Sequence, residues 1–251
     1  MNLNHKFAGQ CVFAIVVAAM LITPVRAQNV RSLFFYTIKP DRVGDFLAAT
    51  KENAAVETKG GSERSFSVWH SLTGANEYVR VVNYTKWAEL DRGPEAKMKD
   101  LAAELQSVGT RIGACIESSH RVIDELLPDL SLPPAGAVQM IRVLRTRVRP
   151  DKVNEYMAMV KSEVSPAAKK AGLKVFTVSQ VRYGAPGTEF ISVAGITNWG
   201  DLDGGTWIQK AMGEEGYQRF LLKLRPLTIE SEADIYRLVP DSSYSPAAPG
   251  K

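Results

Sequence analysis

The stretch Lys39-Pro40-Asp41-Arg42-Val43-Gly44-Asp45-Phe46 returns 110 residues later as Arg149-Pro150-Asp151-Lys152-Val153-Asn154-Glu155-Tyr156, with every charge sign and the aromatic retained. Working outward at the same offset, Phe66-Ser67-Val68 matches Phe176-Thr177-Val178, and Gly74-Ala75 matches Gly184-Ala185. The second copy then gains Pro186 and Gly187, so the offset becomes 112. There Glu77-Tyr78 matches Glu189-Phe190, and the Trp87-Ala88-Glu89-Leu90-Asp91 segment matches Trp199-Gly200-Asp201-Leu202-Asp203. Ile116-Glu117-Ser118 recurs as Ile229-Glu230-Ser231, and Pro128-Asp129 as Pro240-Asp241. Ordered matches with small insertions mark a tandem duplication.

Each copy has the same order of elements. Residues 33–38 and 140–148 are rich in β-branched and aromatic residues and are expected to be strands. The Pro-Asp pair opens a helix, because Pro suits the first turn and Asp can cap amides or face the dipole. Val43, Phe46, Leu47 and Ala54 fall on one face of the first helix, and Val153, Tyr156, Met157, Val160 and Val164 on one face of the second. Strands are expected at 66–72 and 78–84, and again at 175–183 and 190–196. Helical regions follow near 94–108 and 206–224, and last strands near 120–126 and 234–239. The order β-α-β-β-α-β is the ferredoxin-like unit, an antiparallel sheet with its helices on one face. Its other face needs a cover, and two sheets from one chain packed face to face supply it. The expected division is repeat one over 28–130, a linker over 131–136, repeat two over 137–240 and a disordered tail over 241–251.

Residues 1–27 have the pattern of a cleaved secretory signal. Lys6 precedes an uninterrupted apolar run over 12–22, and Val25-Arg26-Ala27 offers small residues for cleavage. The run is too short to span a bilayer, which takes about 20 residues. The expectation is a periplasmic or secreted protein without stable membrane insertion. Lys6 and Arg26 leave with the signal, so 31 basic residues become 29 against 27 acidic, and the net charge falls from +4 to +2. Cys115 is then the one cysteine, which excludes an intramolecular disulfide.

The element order, the Pro-Asp helix entry, the Gly184-Ala185-Pro186-Gly187-Thr188 turn and the paired Trp-x-x-Leu-Asp segments resemble the dimeric α+β-barrel superfamily. That group includes antibiotic-biosynthesis monooxygenases, NIPSNAP-type proteins and chlorite-dismutase-like haem proteins. Some exported bacterial proteins share the same turn and segment. The resemblance implies an α+β fold in which two tandem ferredoxin-like repeats form a pseudo-dimeric barrel, as a monomer or a homodimer. Chlorite-dismutase-like proteins take their haem ligand from a His in the second repeat. The second repeat here has none, so the resemblance stops short of a haem site, and no cofactor is expected.

Two His and one Cys at scattered positions lack metal-ligand spacing, so no metal is expected. No Gly-x-Ser-x-Gly is present, and no phosphate loop. Arg145, Arg147 and Arg149 form a positive stripe, but an acid-paired strand face suits the small net charge better than nucleic acid. What remains is a small-molecule cleft inside the barrel or between sheet and helices. Phe66, Val68 and His70 share one strand face, as do Tyr78, Arg80 and Tyr84. Their equivalents differ: His70 pairs with Gln180, Arg80 with Ser192, Tyr84 with Ile196 and Tyr36 with Thr146. Repeat one thus carries the titratable set. The expectation is binding of a small apolar or aromatic molecule by Tyr36, Phe66, Val68 and Tyr78. The alternative is a cofactor-independent monooxygenase-like or isomerase-like enzyme with His70, Arg80 and Tyr84 as catalytic residues. The sequence does not decide whether the protein is an enzyme.

Overall fold

A computed structural model describes residues 30–91 and 95–246; the expected signal, residues 1–27, lies outside the described residues. The first half runs β1 (Val30–Ile38), α1 (Val43–Gly60), β2 (Phe66–Ser71), β3 (Glu77–Tyr84), α2 (Ala102–Cys115) and β4 (Ile116–Leu126). The second runs β5 (Met140–Val148), α3 (Val153–Met159), α4 (Ser165–Lys170), β6 (Phe176–Tyr183), β7 (Thr188–Ile196), α5 (Trp207–Met212), α6 (Glu214–Leu224) and β8 (Thr228–Leu238). A π turn, Val160–Val164, joins α3 to α4. Each Pro-Asp pair begins a single 3-10 turn before its helix. Neither Asp side chain caps an amide, so each acts on the helix dipole alone.

The strands close into one barrel in the order β1-β3-β2-β8-β5-β7-β6-β4. Each half contributes a four-stranded antiparallel sheet, β4-β1-β3-β2 or β8-β5-β7-β6. Two short seams join them. Residues 69–71 of β2 pair with 236–238 of β8, and residues 123–126 of β4 pair with 179–183 of β6. Closure removes the exposed edges that two open sheets would present.

Strand alternation splits the core into layers. Leu33, Phe35, Val79, Val122, Ile141, Val181, Ile191 and Tyr236 fill the barrel interior. Phe46 and Ala54 of α1 pack on the outer face of the first sheet, and Tyr156 and Val160 do the same on the second. Cys115, at the end of α2, is buried in the first of these layers.

Two details differ from the sequence reading. Ile38 pairs with Ile116 and Val148 with Thr228, so Ile116 corresponds to Thr228 and the Ile-Glu-Ser match is one residue out of register. The register shifts at the same place in both halves, so the offset stays 112 through it, and a one-residue slip exchanges the faces of a strand. The expected disordered tail is ordered through Tyr244, while 247–251 lie outside the described residues. Phe66 and Tyr244 exchange backbone hydrogen bonds of 2.9 and 2.8 Å, Ser243 Oγ accepts from Val68 N–H, and Ser242 is buried. The composition offers little core material, but the outer edge of β2 has unpaired backbone groups that this segment satisfies. The linker does the same for β6: Leu132 N–H donates to Phe176 O, Ser131 Oγ accepts from Val178 N–H, and Leu130 is buried. No described helix is long and apolar enough to cross a membrane.

Candidate functional site

Between the first sheet and its helices lies a cavity of about 30 Å³. Tyr36 of β1, Phe66 and Val68 of β2 and Arg80 of β3 form its floor, Phe46, Thr50 and Asn53 of α1 its roof, and Ile112 and Ser242 its sides. The volume suits a single water. Arg80 lays its guanidinium 3.9 Å from the centre of the Phe66 ring. Its Nε is sealed from solvent without an acceptor, and among the described residues no carboxylate lies within ion-pair distance of it. Burial lowers its pKa, with only longer-range support from Tyr36, Glu57 and Tyr84. Burial likewise raises the Tyr36 phenol, against the pull of Arg80 and Arg121.

The same place in the second half is filled. Arg80 is replaced by Ser192, Tyr36 by Thr146, Thr50 by Val160, Phe46 by Tyr156 and Ser242 by Leu130. Leu130, Tyr156, Val160 and Phe190 pack there as one buried cluster. The Tyr156 hydroxyl bonds Thr146 and Ser192, but burial dominates and pushes its pKa up to about 12. An unfolded tyrosine titrates near 10. The stability held by the neutral phenol is therefore complete below about pH 10 and is lost as pH rises through about 12, by about 3 kcal/mol. Tyr156→Phe is expected to remove most of that alkaline loss. Urea unfolding of both proteins at pH 9 and pH 12 checks this, and equal losses in the two would assign it elsewhere.

Of the seven residues singled out from sequence, Tyr36, Phe66, Val68 and Arg80 line the cavity. His70, Tyr78 and Tyr84 share the sheet face without lining it. The His70 ring stacks on Tyr78 at 4.4 Å, and Tyr84 is buried opposite Val30 at the far end of β3. Arg80 is the one titratable group of the proposed catalytic three that reaches the cavity.

A larger cavity, about 180 Å³, opens at one end of the barrel. Phe35 and His120 of the first half meet Arg145, Arg147, Glu189, Glu230 and Glu232 of the second there, under the Gly184–Pro186 turn. Register explains the pairing: Arg145 stands opposite Glu232 and Arg147 opposite Glu230, giving ion pairs of 3.5 and 2.9 Å. Arg145 also holds Asp234 at 3.0 Å. Arg145 and Arg147 of the arginine stripe are thus acid-paired. Burial pushes the Glu189 carboxyl above the ordinary range against the pull of both arginines. Sequence reading missed this group, although the alternating Glu230, Glu232 and Asp234 on the neighbouring strand carried the signal. Gly184 sits at φ +92, and a Cβ there would lie 2.3 Å from Arg121 O, so the turn clamps directly onto β4.

Among the described residues no group of three or more His, Cys, Asp or Glu is placed to hold a metal ion. A haem does not fit the second half. No histidine is present there, and Tyr156, Phe176, Phe190 and Phe220 occupy the space between sheet and helices.

No protein-family model matches the sequence, and no curated protein matches it. Solved structures do. A candidate monooxygenase from Lactobacillus acidophilus superposes with a TM-score of 0.59 at 9% identity, over 88% of this chain and 98% of that one. An anthrone oxidase-like protein gives 0.55 at 15%, over 84% and 92%. A cyanide-bound chlorite dismutase variant from Candidatus Nitrospira defluvii gives 0.51 at 10%, over 86% and 93%. The chain therefore has the dimeric α+β-barrel fold, with both halves of the barrel in one polypeptide.

Proposed function

We propose that the protein binds a small aromatic anion in the cleft of its first half, with Arg80 as the anchor. The observation that carries this reading is the Arg80 guanidinium, stacked on Phe66 and without a carboxylate partner. A charge drawn into a protein without its counter-ion is costly, and its retention on one side of a duplicated barrel calls for an anion from outside. Phe46, Phe66 and Val68 supply apolar walls, and the Tyr36 hydroxyl a second polar contact. His70, Tyr78 and Tyr84 continue the same face and would meet a longer ligand. With residues 1–27 removed, the protein would work in the periplasm or outside the cell, as a single chain whose barrel needs no partner to close.

Arg80→Met separates the two consequences of that charge. Stability is expected to rise by about 1 kcal/mol, because an apolar side chain of similar length replaces an unpaired charge. Affinity for 2-naphthoate or 4-hydroxybenzoate, measured by calorimetry, is expected to fall ten- to a hundredfold, the worth of about 1.5–3 kcal/mol for bonds to a charged group. Unchanged affinity would sink the reading. Arg80-dependent oxygen uptake or turnover of a bound phenol would instead favour the monooxygenase-like or isomerase-like alternative.

A further inference from the structure

The cleft as it stands holds no aromatic ring, so some part of its wall must move. The segment that follows β8 closes the cleft with a polar side chain at its edge. Ser242, buried at the cavity edge, meets Thr50 of α1 hydroxyl to hydroxyl at 2.8 Å. Beside it Asp241 and Lys51 form an exposed ion pair of 2.8 Å. Beyond it Ser243 Oγ takes the Val68 N–H, and Tyr244 pairs with Phe66 while its hydroxyl donates to Ser62 O. These contacts bridge α1 to the outer edge of β2, across the side entrance of the sheet–helix layer.

The linker offers an internal control. Leu127–Leu132 runs along β6 in the same way, with Ser131 in the place of Ser243 and Leu132 in the place of Tyr244, although Leu132 shows one backbone bond to Phe176 where Tyr244 exchanges two with Phe66. It plugs the second cleft with Leu130, an apolar side chain buried among Tyr156, Val160 and Phe176. Withdrawing Leu130 would expose apolar surface with nothing in return. Withdrawing Ser242 exchanges a hydroxyl contact for water at small net cost, while the Tyr244 ring, 6.0 Å from that of Phe66, and its backbone bonds to Phe66 supply the hold that keeps the segment closed without ligand.

We infer that residues 240–244 are a gate that swings off Thr50 and β2 to admit the ligand, an inference that rests on the first cleft being the binding site. At the cavity edge the gate presents Ser242 where its counterpart presents Leu130, and it lies over the cavity that Arg80 lines.

Thr50→Cys/Ser242→Cys tests it, since the two hydroxyls already touch. With the disulfide formed, 2-naphthoate is expected to bind at least tenfold more slowly than to the same protein after reduction, by stopped-flow fluorescence. Equal rates would overturn the gate. Amide exchange gives a ligand-free reading on the unmodified protein. Val68 and Tyr244 are expected to exchange at least tenfold faster than their counterparts Val178 and Leu132, and equal or slower exchange would overturn the gate as well. If naphthoate binds neither the reduced variant nor the unmodified protein, while Val68 and Tyr244 exchange fast, the binding reading falls and takes the gate's role with it. Slow exchange with normal binding removes the gate alone.

Discussion

Asp124→Ala is expected to cost about 3–5 kcal/mol of stability, the usual penalty for stripping one partner from a buried ion pair. Asp124 is fully buried in the barrel and accepts from Arg31 Nε at 2.9 Å and from the Ser179 hydroxyl, while Arg31 also donates to Ser179 at 2.8 Å. The cluster spans the seam between β4 and β6, so its loss strikes the junction of the two halves. Removing the carboxylate leaves a cation with nothing to neutralise it. Removing both charges is a different experiment. At the equivalent positions of the second half, Ile141 faces Tyr236 across the same strand pair. An Arg31→Ile/Asp124→Tyr variant is therefore expected to regain more than half of the loss. Urea denaturation of the single and double variants reads both values, and a single-variant loss below about 1 kcal/mol would show that the pair is not structural.

Phe46→Ala is expected to cost about 3–5 kcal/mol as well, from lost burial and from the void left behind. Phe46 is 1% exposed, with its ring 4.9 Å from Tyr78 and 6.3 Å from Tyr36, in the roof of the cleft. Its special feature is that the void joins an existing cavity beside Arg80. A naphthoate at a hundredfold excess over its dissociation constant is expected to restore about 2.7 kcal/mol. Phe190→Ala, in the filled second half, should lose a similar amount and recover none. Thermal unfolding with and without naphthoate distinguishes them, and equal recovery in both would place the binding elsewhere.

The repeated Pro-Asp segment carried most of the architecture. Two copies of one βαββαβ unit, each with a sheet face to cover, leave few ways to pack. The strands fell where β-branched and aromatic residues cluster, and the helices where apolar residues recur at helical spacing. Three features escaped for physical reasons. The Ile-Glu-Ser likeness is a match of similar residues one place out of step, and only the strand pairing of Ile38 with Ile116 and of Val148 with Thr228 shows that it lands on the wrong face. The Ser- and Pro-containing segment after β8 offers one large apolar group, Tyr244, yet it is held by that ring on Phe66 and by backbone bonds that composition does not reveal. The cluster of Arg145, Arg147, Glu189, Glu230 and Glu232 exists only because β5 lies between β7 and β8. For the first cleft, the residue types were visible in Tyr36, Phe66 and Arg80. That no described carboxylate comes within ion-pair distance of Arg80 is a property of three dimensions.

The two seams are unequal in reach along the chain, which sets an order of assembly. Within each half the strands that pair are brought together by turns and by helical crossovers of their own unit. The β4–β6 seam joins residues 123–126 to 179–183 and can close once the second hairpin forms. The β2–β8 seam joins 69–71 to 236–238, about three quarters of the described chain apart, through three residue pairs. Contacts of such long separation form late, because the entropy of closing the loop is spent before they return anything. The barrel is thus two sheets hinged along one edge and latched along the other. The segment that covers the Arg80 cleft follows directly on the latch, so the side wall of the cleft depends on the seam with the longer loop to close.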